Sequence, residues 1–244
     1  MITISECDLF IYVGGESDGW VEDALKSAKN KDMQVINLMD VMGSSAKKEE
    51  IKEGMMLEEE GEEEEAEYDE HFWTSLKNAK VFCGEICDSL CKLDEKNADT
   101  YKKNLSDYSQ ELDTLDSDFQ TLIDESDTQT LIFGDRFPFR YFADDYGLDY
   151  YAAFVGCSAE TEASFETITF LANKIDELNA DTIFVIENSD HSIADGIIQN
   201  TKSKNQTIEE LNSMQSVTSD MVKNGTTYLG LMQKNYDTLK EALN

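Results

Sequence analysis

The sequence predicts an α/β fold: two lobes of parallel sheet covered by helices, joined by one long connecting helix. Three observations carry this expectation. Strand and helix alternate at the start of the chain, a long amphipathic stripe fills its middle, and the alternation resumes behind that stripe.

Leu9 to Val13 is an apolar run that stops at Gly14-Gly15, as a buried strand ending in a turn does, and Trp20 to Lys29 reads as the helix behind it. Met33 to Leu38 is the second strand, which completes a strand, helix, strand unit of the kind found in parallel sheets. Asn78 to Leu93 reads as an amphipathic helix. The next helix starts near Asp94 and carries Tyr101, Leu105, Tyr108, Leu112, Leu115, Phe119 and Leu122, an alternating spacing of three and four that predicts one continuous buried stripe. At about 1.5 Å per residue it spans roughly 40 Å, enough to run from one lobe to another. Beyond it, strands are expected at Thr130 to Phe133, Tyr150 to Phe154 and Thr182 to Ile186. Helices are expected at Phe139 to Tyr146, Glu162 to Asn179, His191 to Thr201 and about Asn224 to Leu243. The domain reading is a first lobe over 1–93, a connecting helix over 94–125 and a second lobe over 126–244.

Charge excludes several partners. A formal net charge of −32 repels a nucleic acid backbone and an anionic membrane surface alike, whereas it favours cations. The acid is concentrated: Glu49 to Glu70 holds thirteen carboxylates against the single base Lys52. Such a segment reads as a solvated, mobile loop, either a charged insertion without a task or a low-affinity, exchangeable trap for divalent cations. Carboxylates without rigid geometry do not select among Ca²⁺, Mn²⁺ and Zn²⁺, so selectivity has to come from elsewhere. No transmembrane-length apolar run and no signal-peptide pattern is present, so no targeting signal is read in these residues.

The cysteine count is five, Cys7, Cys83, Cys87, Cys91 and Cys157, and an odd number does not suit a complete disulfide framework. Cys83, Cys87 and Cys91 stand at i, i+4 and i+8 on one helical face. They read either as small packing residues or as thiolates for a soft metal. No phosphate loop, dinucleotide-binding glycine pattern or nucleophile elbow occurs, and Cys157 with His191 is the nearest approach to a nucleophile and base. An enzyme is therefore not expected.

An acidic loop leading into Tyr68-Asp69-Glu70-His71-Phe72-Trp73, followed by Thr74-Ser75-Leu76-Lys77-Asn78, resembles the zinc and manganese solute-binding lipoproteins served by ABC permeases. Leu76 stands where that family usually has proline. The resemblance continues through Asn97-Ala98-Asp99-Thr100-Tyr101, Phe139-Arg140-Tyr141-Phe142 and Tyr146-Gly147-Leu148. It closes with Thr227-Tyr228-Leu229, Met232, Asn235 and Leu239, so it covers nearly the whole chain in order.

The resemblance implies an extracytoplasmic receptor that captures zinc or manganese between its lobes and hands it to the permease of an ABC importer. Its contact with the membrane is expected only through a lipid anchor outside this chain. It also implies a strand and a metal-binding histidine ahead of Leu9, so an N-terminally shortened copy lacking one ligand is expected. His71 falls at the family's second ligand position. The third position, five residues before Tyr141, falls on Arg136, whose guanidinium cannot ligate, and the adjacent Asp135 is its substitute. The fourth falls on Asn212 in Asn212-Ser213-Met214, an amide where the family has a carboxylate. From their place at the carboxyl end of the Thr182 to Ile186 strand, Glu187 and His191 are further metal candidates. The ligand set is thus His71, Asp135, Glu187, His191 and Asn212. The alternative is a binding or adhesion protein that keeps the scaffold without the metal.

Overall fold

Two parallel sheets organise the chain in the computed structural model, which describes residues 2–56, 67–158 and 161–243. The first half opens with α1 (Ile2–Glu6), β1 (Leu9–Tyr12), α2 (Val21–Lys26), β2 (Gln34–Asn37) and α3 (Leu38–Met42). β1 and β2 pair in parallel, Leu9 opposite Gln34 and Tyr12 opposite Asn37. Asn37 ends β2 and starts α3 at once, because its side-chain oxygen accepts hydrogen bonds from the Met39 and Asp40 amides.

The second half is a four-stranded parallel sheet in the order β4-β3-β5-β6, built from β3 (Thr130–Phe137), β4 (Asp149–Val155), β5 (Thr182–Ile186) and β6 (Thr207–Leu211). Helices α6 (Arg140–Tyr146), α7 (Phe165–Leu178) and α8 (Ser192–Asn200) connect these strands. Central strand β3 is buried at Leu131, Ile132 and Phe133, as a strand covered on both faces requires. Gly134 lets α8 press against β3: a Cβ there would lie 2.7 Å from the Ala194 Cα. Strand β6 was not expected from the sequence, since Glu209-Glu210 breaks its apolar pattern and only Leu211 is buried. The chain ends with α9 (Ser219–Lys223) and α10 (Tyr228–Ala242), the latter capped by the Thr227 hydroxyl, which accepts from the Gly230 amide.

Between the halves run α4 (Leu76–Leu93) and α5 (Ala98–Glu125), and α5 is the long connecting helix. The two pack against each other, while the far end of α5 enters the larger core beside β3, α6 and α10. Its expected stripe is only half realised. Leu112, Leu115, Phe119, Leu122 and Ile123 are buried, whereas Tyr101, Leu105 and Tyr108 are half-buried and line a groove of about 270 Å³ against α4. The apolar spacing continues through the first turns, where Tyr108 packs against the edge of the main core and Tyr101 and Leu105 stay half-buried.

The acidic segment departs from the expectation of a solvated loop over residues 49–56. Lys47 to Glu49 and Glu67 to Asp69 pair through Glu49 N to Glu67 O and Asp69 N to Lys47 O, both 2.8 Å, so the segment is closed at its base. The irregular stretch after Glu49 then docks on the second sheet. The Met56 amide donates to Ala153 O at 2.9 Å, Met55 is buried, and the Lys52 ammonium pairs with Asp149 and lies 4.2 Å from the Tyr150 ring centroid. Residues 57–66 lie outside the described residues, and with them the expectation made for most of the carboxylates. Among the described residues, no helix is long and apolar enough to cross a membrane.

Candidate metal centre

The carboxyl ends of β1, β3, β4 and β6 converge on a cleft of about 530 Å³ between the two sheets, the place where open α/β folds gather ligands. Val13, Ser17 and Asp18 border it from the first half and Arg136, Gly156, Cys157, Met214 and Gln215 from the second; Glu70, His71 and Trp73 complete it.

His71 is the best-held donor in this cleft, only 4% exposed. The Asp69 Oδ1 carboxylate oxygen accepts both the His71 backbone N–H and the Nδ1 hydrogen, each at 2.8 Å. An Asp two residues before an amide forms this turn readily, and here the same oxygen fixes the ring. Because the carboxylate can only accept, Nδ1 carries the hydrogen, and in the neutral ring Nε2 has the lone pair. The Asp69 carbonyl accepts from Tyr141 Oη at 3.0 Å, and that oxygen accepts from the Lys47 amide at 2.8 Å. Burial pushes the Tyr141 hydroxyl up to about 12, so it stays a donor. The Trp73 ring packs against the imidazole with centroids 5.4 Å apart, and its Nε1 donates to Ser213 O across the cleft at 2.8 Å.

Gly156 makes the second wall. A Cβ there would lie 3.0 Å from His71 Nδ1 and 3.0 Å from Phe137 O, so the imidazole uses the space a side chain would take. Beside it, the Cys157 amide donates to Glu49 Oε1 at 2.8 Å. Burial raises the Glu49 carboxyl. On the opposite side Glu70 Oε1 accepts from the Ser17 amide at 3.2 Å, a contact made possible by the positive φ of 101° at Gly15, where a Cβ would collide with that carboxylate.

Of the five predicted donors, the structure places His71 alone in this cleft. Asp135 and Glu187 border a neighbouring cavity of about 370 Å³, and Arg136 lies on the boundary between the two. The Asp135 carboxylate accepts from the Arg136 amide at 2.9 Å. Glu187 is occupied: its carboxylate accepts from Ser213 N at 2.7 Å, Ser213 Oγ at 2.9 Å and Ser216 N at 3.2 Å, which ties β5 to the turn after β6. Asn212 borders a different cavity, beside α10. Its side-chain oxygen accepts from the Met214 amide at 2.9 Å, and its backbone exchanges two hydrogen bonds with the Asn235 amide group. His191 is exposed at the start of α8 with φ 65°, and it borders neither the His71 cleft nor the cavity of Asp135 and Glu187. Cys157 borders the His71 cleft, whereas His191 does not. Arg136 carries a buried Nε without a hydrogen-bond partner. Among the described residues, no group of three or more His, Cys, Asp or Glu side chains is gathered closely enough to hold a metal ion as it stands.

The carboxylates that sequence reasoning missed are Asp69, Glu70 and Glu49, all inside the run read as a uniform acidic loop. The Asp69-Glu70-His71 spacing was the available signal for the first.

These features define the class: two parallel sheets with a cleft at their carboxyl ends and a long helix between, the architecture of metal-receptor proteins. The chain belongs to the family described as zinc-uptake complex component A, periplasmic, whose model matches residues 1–242. It is 25% identical over 244 residues to the zinc-binding protein AdcA of Streptococcus pyogenes, covering 97% of this chain and 46% of that protein. It is 27% identical over 252 residues to the high-affinity zinc uptake system protein ZnuA of Bacillus subtilis, covering 98% of this chain and 73% of that one. The chain thus spans about half the length of the streptococcal relatives it matches. Among solved structures, the metal-dependent lipoprotein YcdH of Bacillus subtilis superposes with a TM-score of 0.75 at 24% identity, covering 99% of this chain and 83% of that one. The periplasmic zinc-binding protein TroA of Treponema pallidum does so with a TM-score of 0.75 at 23% identity, covering 98% and 82%. These likenesses establish the fold.

Proposed function

We propose that this chain is the solute-binding component of a divalent-metal ABC importer, that it works outside the cytoplasmic membrane, and that zinc is its cargo. The observation that carries the reading is the buried His71, whose Nδ1 is held by Asp69 and whose Nε2 is left for a cation in the cleft. A carboxylate behind the imidazole is the arrangement that orients histidine ligands and raises their basicity. The relatives named for zinc binding and zinc uptake support the choice of metal, and the family description supports the compartment. The lobes of this reading are residues 1–93 and 126–244, with 94–125 between them, and an ABC permease is the partner that receives the ion.

In this reading the remaining coordination positions fall to Glu70 and Asp18, the carboxylates that border the same cleft, and to water. Asp135, Glu187, Asn212 and His191 would need the cleft to rearrange before they could take part. Arg136 opposes the cation. Its positive charge lies on the cleft boundary, and exchanging it for an imidazole removes repulsion and adds a nitrogen donor. Arg136→His is therefore expected to tighten zinc binding in calorimetry. An unchanged or weaker affinity would show that the side chain at 136 does not face the ion.

Asp69→Ala tests the orienting carboxylate. Loss of such a partner costs roughly 10–100-fold in metal affinity, and that fall is expected here in competition with a chromogenic chelator. The wild-type chain decides the reading as a whole: purified without added metal and then offered zinc or manganese, it should take up zinc in preference. A chain that retains neither metal would sink the proposal and leave a metal-free binding protein on the same scaffold.

A further inference from the structure

Helix α4 carries Cys83, Cys87 and Cys91 one turn apart, on the face that meets the first turns of α5. This is where the buried stripe of α5 fails and a groove opens, walled by Ile86, Leu90, Tyr101 and Leu105 with Cys83 and Cys87 in its lining. All the cysteines of the chain are free thiols, so none of these three is committed to a disulfide. Cys87 Sγ and Cys91 Sγ stand 4.0 Å apart. Two thiolates on a tetrahedral ion, with metal–sulfur bonds of about 2.3 Å, have to stand roughly 3.8 Å apart. The pair is therefore already spaced as one edge of such a coordination shell.

We propose that Cys87 and Cys91 form a thiolate site for a soft divalent cation, separate from the cleft of His71, with Cys83 supplying a third sulfur by rotation of its side chain. Loading exchanges protons for metal: each coordinating thiol gives its proton to solvent, two for the preformed edge, and two sulfur–metal bonds form. Burial pushes the Cys83 and Cys87 thiols up, so these groups hold their protons until a cation displaces them. Cys87 lines the groove, while the Cys91 thiol lies 3.7 Å from Ala98 O at the start of α5; sulfur ligands beside these apolar walls favour thiophilic ions over magnesium, calcium or manganese. The site is independent of the cleft reading. Along α4, Cys87 lies eleven residues beyond Leu76, about 16 Å of helix rise.

The test uses the full chain, reduced, with cadmium(II) or cobalt(II) as the probe. Thiolate-to-metal charge-transfer absorption should appear on titration and should persist in His71→Ala, which removes the cleft donor. It should vanish in Cys87→Ser with Cys91→Ser, while Cys83→Ser should weaken the binding without abolishing it. Absence of the band in the wild type would overturn the proposal, as would its survival in the double serine variant, which would place the thiolate elsewhere. If the double variant does not fold, alkylation of the wild type followed by peptide mass spectrometry decides: the cation should protect Cys87 and Cys91, and unprotected sulfurs would overturn the site.

Discussion

With Cys87 and Cys91 replaced by serine, so that only the cleft is read, His71→Ala should abolish stoichiometric zinc retention by the purified chain while leaving its circular dichroism and melting transition close to those of the same chain with His71. The expected effect exceeds the roughly 10–100-fold attached to an orienting partner, because the donor atom itself is lost. In the cleft His71 is the imidazole, and the carboxylates Glu70 and Asp18 are already engaged by backbone amides at Ser17 and Gly14. No described trio of donors stands ready to replace it. The measurement is metal content by mass spectrometry after dialysis, paired with competition against a chelator. Zinc content unchanged in His71→Ala would refute the cleft as the zinc site. A large fall in melting temperature would mean that the His71 to Asp69 contact serves the fold as well, and His71→Gln would then separate the two roles, since its amide keeps a donor for Asp69 and offers only a weak metal ligand.

How far the site could be read before the structure depended on what each residue type reports. His71 was legible because an imidazole after an acidic run, with aromatic residues behind it, forms an ordered motif. Asp69 was hidden in the same run, since one carboxylate among thirteen carries no mark of being buried at 2% exposure. Glu187 stands at the end of β5, as expected, and there its carboxylate accepts from Ser213 and Ser216. Position alone cannot show that the turn around Ser213 would take its lone pairs. For Asn212, expected as a ligand from the resemblance alone, the Met214 amide donates to the side-chain oxygen. The strands of the larger sheet were legible where they are apolar, edge strand β4 included, and β6 was lost because that edge tolerates Glu209 and Glu210. The docked start of the acidic segment could not be seen either. Met55 and Met56 are two apolar residues in a charged context, and only the facing sheet gives them a burial site.

Phe119→Ala should lower unfolding stability by about 3–5 kcal/mol, the range for deleting a buried aromatic side chain from a packed core. Phe119 is fully buried, with ring centroids 5.0 Å from Phe142, 5.5 Å from Tyr146 and 5.4 Å from Tyr236, so one side chain joins α5 to α6 and α10. Truncation leaves a void bordered by three rings whose positions are fixed by their own neighbours, and such a void closes poorly. The same helix supplies its own control. Leu105 lies in the half-buried groove beside α4, where the lost surface was already part-exposed, so Leu105→Ala should cost about 1 kcal/mol or less. Urea denaturation of both variants measures the difference, with equal m-values required for the comparison. Zinc affinity should be unchanged in Phe119→Ala under conditions where the protein is folded, because the cleft is built from strand ends and from residues 70–73 rather than from α5. Equal losses at Phe119 and Leu105 would show that α5 is buried evenly along its length, which would refute the graded contact described here and close the groove in which the thiols of α4 stand.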